Sequence, residues 1–458
     1  MAWGKPIPMA PGFAPDLSPL TPGLLRATDA VYPTVKGYRA LPALVSIAPA
    51  LPSACVGAYL AKYLASGIDN VFAGTAAHLY LLQAGAFVEN DGGQNFNAPS
   101  WSFAQFGNDT IATDLNDVPQ VSANGAAFTA LGGGPPNAAI VAATNNFVFL
   151  LNWGDANSNK IGWSGIGNDA LWSFNIADQS GNIQLQTTPG PITAGLDLQN
   201  QIIAYKGSSV YAGTYSGNVS VIWGFAPITD ATGVAARSCV INLGDRHIFV
   251  GPDDFYICDG YSVANIPENP IKEWFFGLLD ATYAANVVGR YDQVNRIVYW
   301  HFPSITANPR GTRDHWVAWN SRINKWAMGS SLSIEAALPE LDANGYPAVF
   351  KTDHSMWEYS AAANNFSITS GDIGDVNHRL SVFGLRPLFA VAPATATLQA
   401  YARDKLGGAL IAGPQVALNP DGTFRFRQGG RFQSFTITAS ADTEIVGYEL
   451  DSAIGGLR

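Results

Sequence analysis

Short runs of Val, Ile, Phe, Tyr, Trp and Thr, many alternating with polar residues, succeed one another along almost the whole chain. Glycines and prolines, 47 and 28 in number, punctuate them. The runs are roughly eight to twelve residues apart, the spacing of many short strands joined by turns. No glycine-free stretch sustains the period of an amphipathic helix over about fifteen residues. Only 53–66 and 269–279 have a briefly helical character. The pattern predicts an all-β protein.

A looser period lies over the strands: an apolar strand, a polar or glycine turn, then a second strand ending in an aromatic residue. Its clearest copies are 71–82, 202–213 and 247–258, with weaker ones at 103–112, 140–151, 296–319 and 348–359. The turns hold residues tolerant of unusual dihedrals, such as Asp253 and Asp254, Gly207 and Ser208, or Asp353 and His354. Copies start roughly 35 to 65 residues apart, the length of a four-stranded blade. They predict a β-propeller of about six to seven blades over 35–362. A closed ring of blades protects its own edges, which suits so much strand with so little edge charge. Alternation within 247–258 sends Phe255 and Tyr256 to opposite sides of one strand.

Beyond 361–365 the pattern changes, and 381–389, 395–403, 423–427 and 432–439 alternate cleanly. They predict a small C-terminal β-sandwich over 363–458. Residues 1–34, with Pro6, Pro8, Pro11, Pro15, Pro19 and Pro22, read as an extended N-terminal arm suited to packing on a neighbour.

Composition sharpens this picture. Hydrophobic residues make up 47% and charged residues 13% of the 458, which excludes a disordered chain and implies an exterior partly buried against other subunits. The net charge of −10, without long Lys/Arg runs, argues against a protein that grips nucleic acid by its phosphates. Cys55, Cys239 and Cys258 lack metal-ligand spacing and read as buried thiols. The N-terminus shows no basic segment followed by an apolar core, so synthesis in a cytoplasm is expected. The weakly charged stretch 41–61 contains Pro42, Pro49 and Pro52, which would break a membrane helix.

Candidate chemistry is sparse. His78, His247, His301, His315, His354 and His378 form no close ligand pairs, and His315, between Asp314 and Trp316, reads as a packed or rim residue. Ser164 only approaches a nucleophile elbow, and Gly132–Gly134 precede prolines rather than a helix. Asp245, Asp253, Asp254 and Asp259 bracket one strand and read as turn formers rather than a glycosidase pair. The run Asp155 to Asn159 matches a calcium loop only loosely. Arg425, Arg427 and Arg431 interleave with Phe424, Phe426 and Phe432, giving a solvated or interface face on one side of a strand. No catalytic, cofactor-binding or metal residues are assigned, and the chain is not expected to be an enzyme.

Several stretches together resemble the β-propeller tail proteins of short-tailed bacteriophages, the tail nozzle or packaged-DNA stabilisation proteins. They are Leu17-Ser-Pro-Leu-Thr-Pro-Gly-Leu-Leu with Tyr32-Pro-Thr-Val-Lys-Gly-Tyr-Arg, Val71-Phe-Ala-Gly-Thr-Ala-Ala-His-Leu-Tyr and Phe103-Ala-Gln-Phe-Gly-Asn-Asp. Further ones are Trp163-Ser-Gly-Ile-Gly-Asn-Asp-Ala-Leu-Trp, Gly251-Pro-Asp-Asp-Phe-Tyr-Ile-Cys-Asp-Gly with Ile271-Lys-Glu-Trp-Phe-Phe, and Gly430-Arg-Phe-Gln-Ser-Phe-Thr-Ile. The resemblance implies a structural virion protein, a hexameric nozzle or head-to-tail connector ring that retains and ejects the genome. Portal and adaptor proteins would lie above it and fibre or spike proteins below. Double-stranded DNA would pass without sequence-specific binding, and an acidic lumen would repel its phosphates. The alternatives are a carbohydrate-binding or carbohydrate-cleaving propeller, or a minor tail protein of a long-tailed phage.

Overall fold

The computed structural model describes residues 3–455 except 64, 219 and 441. Five four-stranded antiparallel sheets and one eight-stranded sheet, which divides into two four-stranded halves bridged at Arg313 and Ile334, form the seven blades of a propeller. Blades 1 to 6 are 57–89, 102–130, 140–184, 192–229, 241–265 and 288–329. The innermost strands neighbour one another in cyclic order, and Ile334–Leu341 of blade 7 returns to Gly57–Lys62 of blade 1. Blade 7 takes three strands from 334–363, while its outermost strand, Pro42–Ala48, comes from the other end of the ring and pairs with Met356–Ala363. That pairing closes the propeller.

The middle strands of the blades carry apolar runs rather than alternation because both of their faces are covered by neighbouring blades. Phe147–Leu151 and Ile297–Pro303 are buried at every position. Phe255, as alternation requires, points into the interface with blade 6. Its ring lies 5.0 Å from both Trp300 and Trp326, and 4.8 Å from Phe275 of the helix Lys272–Leu278. Tyr256 turns the other way, stacks on Phe249 at 5.6 Å and donates its hydroxyl to Asp253 at 2.6 Å.

The clearest sequence repeats are the second-to-third-strand hairpins of blades 1, 4 and 5; the weaker 296–319 and 348–359 are the same hairpins of blades 6 and 7, whereas 103–112 and 140–151 are first-to-second-strand hairpins of blades 2 and 3. The helical character at 269–279 becomes Lys272–Leu278. That at 53–66 does not form, because Gly57–Lys62 pairs with Asp69–Gly74 as the first strand of blade 1. Its Ala, Leu and Lys favour a helix, but sheet pairing and burial outweigh a propensity of a few tenths of a kcal/mol per residue.

The arm expected over 1–34 is a correction. Ile7–Pro8, Gly12–Phe13, Leu24–Asp29 and Val31–Pro33, with Tyr38–Ala40, are strands of the sandwich itself. One sheet orders Phe424–Gly430, Leu380–Val391, Glu444–Ile454, Tyr38–Ala40 and Val31–Pro33, with Ile7–Pro8 also on Glu444–Ile454. The other orders Gly12–Phe13, Leu24–Asp29, Phe366–Ser370, Phe432–Ala439, Ala396–Arg403 and Ile411–Ala417. Prolines and turns cut this N-terminal stretch into strands of two to six residues, too short for a period to show. Phe424 and Phe426 are buried while Arg425 and Arg427 face outward, as alternation predicts.

The same segment ties the sandwich to the propeller. The Tyr38 hydroxyl accepts from the Phe13 amide and donates to the Trp326 carbonyl, both at 2.7 Å. Gly12 is required beside it: its φ is +65°, and a Cβ there would lie 2.0 Å from that hydroxyl oxygen. Thr28 exchanges two hydrogen bonds with the Met328 backbone in blade 6. Asp16 accepts from the Glu273 and Trp274 amides and so caps the blade 5–6 helix from 257 residues away.

Two outcomes are expected. Phe255→Ala should cost roughly 3–5 kcal/mol in denaturant unfolding by opening the cavity between blades 5 and 6. Deleting residues 2–26 should unfold the sandwich, seen as loss of its share of a calorimetric transition, because buried Phe13, Leu24 and Leu25 leave both cores. An unchanged transition would return this stretch to the status of a detachable arm.

Candidate functional site

The first strands of the blades run parallel around the axis, so their starts share one mouth of the central channel and their ends share the other. Blade-to-blade connections enter at the upper mouth, and first-to-second-strand turns form the lower one.

Arginines bridge the upper mouth. Arg237, in the connection from blade 4 to blade 5, donates to the carbonyls of Ala139 at 2.5 Å and Trp101 at 3.2 Å, which precede blades 3 and 2. Arg313 donates to the carbonyls of Asn286 and Glu335, joining blades 6 and 7. Burial lowers both guanidinium pKa values to about 10, so both remain charged near neutrality. Glu335 gathers the Cys55 amide at 2.8 Å and His354 Nδ1 at 2.8 Å beside them.

At the lower mouth, polar residues tie most blade seams. Gln105 bonds the backbone of Lys62, Asn242 donates to the Asp197 carbonyl, and Asn145 donates to the Asn200 carbonyl. Lys62 and Glu340 pair at 3.5 Å across blades 1 and 7. Burial and the nearby Glu340 raise the Asp197 carboxyl. Among the described residues, no hydrogen bond joins the mouth residues of blades 5, 6 and 7 to one another. There a polar pocket of about 360 Å³ opens, lined by Asn242, Leu243, Gly244, Tyr291, Gln293, Arg296 and Glu340.

Arg296 is conspicuous in this pocket because its φ is +60°. The left-handed residues of the corresponding turns are Gly67, Gly107, Asn145, Asn146, Gln199, Gly244 and Gly345. An arginine in that conformation costs about 1–2 kcal/mol that glycine would not. The Ser321 amide and hydroxyl, both donating to the Arg296 carbonyl at 3.2 Å, fix it there.

The residues singled out in the sequence do not converge. Asp253 and Asp254 lie at the upper end of blade 5, Asp245 and Asp259 at its lower end. The four-residue strands between the two ends put Asp253 and Asp254 about 13 Å from Asp245 and Asp259, beyond the roughly 5–9.5 Å of a glycosidase pair. Asp254 accepts from the Phe255 amide, Asn265 and Asn269, and Asp259 from the Tyr261 and Ser262 amides, as turn formers do. Asp245 pairs with Arg246 at 2.6 Å. Ser164 is buried, accepting from the Val148 amide and donating to the Gly165 carbonyl. Gly132–Gly134 lie in the loop between blades 2 and 3.

His247 is buried between Tyr205 and the Asp197 carbonyl, and burial lowers its pKa to about 4. His301 is likewise neutral, depressed by burial and by Arg290 and Arg313. His315 is half-buried 3.1 Å from Asp314, and His378 lies on an exposed turn with Asp375. Asp155 opens a short 3-10 turn, while Asn159 is engaged with Gln184 and the Leu185 carbonyl of its own blade. The three cysteines are free and buried.

Sequence reasoning missed one cluster. His78, Glu89 and Asp91 bring ligand atoms within 4.8 Å of one another on blade 1, a donor set able to hold a divalent cation. Both Asp91 oxygens already accept backbone amides, from Leu79 and Gly93, so holding the loop is work the carboxylate demonstrably does. His78 and Asp91 are 13 residues apart and meet only through the blade's hairpins, so no local spacing could reveal them.

The class is a seven-bladed β-propeller closed by a strand from its opposite end and carrying a sandwich woven from both ends of the chain. No family model matches the chain, and no curated protein matches it. Solved structures similar to it include YCF48 bound to D1 peptide, at 10% identity and TM-score 0.44, covering 70% of this chain and 99% of that one. Streptogramin B lyase is similar at 12% identity and TM-score 0.44, covering 69% and 96%. YCF48 from Cyanidioschyzon merolae is similar at 9% identity and TM-score 0.43, covering 69% and 98%. Among the described residues no helix is long and apolar enough to cross a membrane.

The lower face also carries a titratable pair. Burial, with Glu358 beside it, pushes the Asp342 carboxyl up to about 6. Against the opposing effect of burial, hydrogen bonds from Asp342, Ser360 and Asn344 hold Glu358 below its ordinary value. A carboxyl raised in the folded state holds a proton that the unfolded chain gives up. Its stabilisation is therefore complete below about pH 4 and lost as pH rises through about 6. Asp342→Asn should flatten the urea-midpoint profile over that window, and a profile as steep as the parent's would deny the shared proton.

Proposed function

We propose that this chain is a structural component of a phage virion, a tail nozzle or head-to-tail connector, working as a ring of copies around the genome. The observation that carries the reading is where the propeller exposes large apolar side chains. Ile166 and Ile176 of blade 3 and Tyr215 and Val221 of blade 4 are exposed on adjoining third-to-fourth-strand segments. The Tyr215 hydroxyl donates to Gln179 at 2.8 Å and joins the two segments into one rim. This contiguous apolar rim suits lateral packing against the next copy, where interface cores are depleted of charge.

The channel of a single propeller is not the DNA path in this reading. Arg237 spans its upper mouth, and a duplex has a major groove alone about 12 Å wide. The path is the lumen between copies, where a chain of net charge −10 repels phosphate and lets the genome slide. The scattered carboxylates of blade 5, held in turns, favour a scaffold over a glycan-cleaving site.

Negative-stain microscopy of the purified chain should show rings, and the particles should attach to DNA-filled heads. The double change Ile176→Asp and Val221→Asp should abolish ring formation while leaving the circular dichroism spectrum and melting temperature intact. A protein that stays monomeric at high concentration and never joins virions sinks the proposal. Glycan cleavage by that monomer, abolished in a folded Asp253/Asp254/Asp259→Asn triple variant, would establish the enzymatic alternative instead.

A further inference from the structure

We propose that the lower-mouth pocket between blades 5, 6 and 7 binds a carboxylate-bearing sugar unit of the uronic-acid type, held through Arg296. The inference is independent of the virion role, since the pocket lies by the channel and the apolar rim lies on blades 3 and 4.

Size and wall chemistry come first. Pockets for small ligands run from about 300 Å³ upward, and this one holds about 360 Å³. Its walls are mainly polar: the Asn242 and Gln293 amides, the Tyr291 phenol, the Glu340 carboxylate and the Arg296 guanidinium. A wall of this kind matches a ligand dense in hydroxyls better than an apolar one.

Charge selects within that class. Glu340 pairs with Lys62 at 3.5 Å on the surface, and Asp245, which influences Arg296 electrostatically, is engaged by Arg246 at 2.6 Å. Arg296 has no ion pair among the described residues, and its one side-chain hydrogen bond reaches the Tyr291 hydroxyl at a long 3.4 Å. The pocket therefore presents one guanidinium free to take a carboxylate with two parallel hydrogen bonds. The Gln293 amide makes no hydrogen bond to another described residue, so it can meet the hydroxyls of the same sugar, with Glu340 accepting from them.

Backbone conformation shows that glycine can replace this arginine. Arg296 occupies a left-handed position that glycine fills in blades 1, 2, 5 and 7 and that Asn or Gln fills in blades 3 and 4. Among the left-handed residues of these turns Arg296 carries the charge, and it is exposed to solvent. The blade seams at this mouth also lack the polar ties seen at Gln105, Asn145 and Asn242, which leaves the space open.

The test is titration of the full chain with glucuronate, glucose and inorganic phosphate, followed by saturation-transfer NMR and calorimetry. Arg296→Gly is the informative variant because glycine suits its φ and should leave the melting temperature equal or higher. Glucuronate should bind the parent, with glucose and phosphate at least about tenfold weaker, and Arg296→Gly should lose about tenfold or more of the glucuronate affinity. Gln293→Ala should weaken it less. No glucuronate binding up to about 10 mM, or equal affinity in Arg296→Gly, overturns the proposal. Glucose binding as tight as glucuronate would refute the carboxylate contact, and tighter phosphate binding would make this an anion site rather than a sugar site.

Discussion

The pairing of Pro42–Ala48 with Met356–Ala363 is the constraint on which the architecture rests. Seven blades are held only by their neighbours, so a ring without closure would expose two bare sheet edges and the cores of its end blades. Taking the last blade's outer strand from the first part of the chain makes all seven one cooperative unit. Its consequence is topological. The chain must enter the ring before Pro42 and leave it after Ala363 at the same blade, which brings the two flanking segments side by side. They build one sandwich together, so neither flank is an independent appendage.

Closure also explains the polar economy of the interior. With the blades fixed, the starts and ends of the inner strands crowd carbonyls and amides around a narrow channel, where each needs a partner. Arg237 and Arg313 satisfy four carbonyls at one mouth, and Gln105, Asn145 and Asn242 tie seams at the other. These side chains are far apart in sequence and have no motif. Their chemistry is positional, and the untied seams of blades 5 to 7 mark where the interior remains open to solvent.

A rigid block of this kind suits a part that transmits position and bears load. The tie between sandwich and blade 6, through Tyr38, Thr28 and Asp16, leaves little room for one domain to move against the other. The exposed apolar rim of blades 3 and 4 lies on different blades from that tie, so the proposed assembly surface is separate from the one that gives internal cohesion.

Strand character, the hairpin repeat and the outward Arg425 and Arg427 were legible in the sequence because each depends on neighbours a few residues away. Phe255 and Tyr256 part to opposite faces for the same local reason. Sequence could not reveal that residues 1–34 belong to the sandwich, since strands of two or three residues are specified by partners hundreds of positions distant. Nor could it show that 57–62 would forsake a helical preference for a sheet. The candidate pocket was equally silent. Arg296 ends an ordinary-looking turn, and only the ring of blades brings it opposite Glu340 and Asn242. The sequence by itself determined the strands, the blades and the low charge, which are properties of local pattern and composition. The tertiary structure alone decided closure, the shared sandwich and the channel mouths, because these depend on contacts whose free energy appears only once distant segments meet.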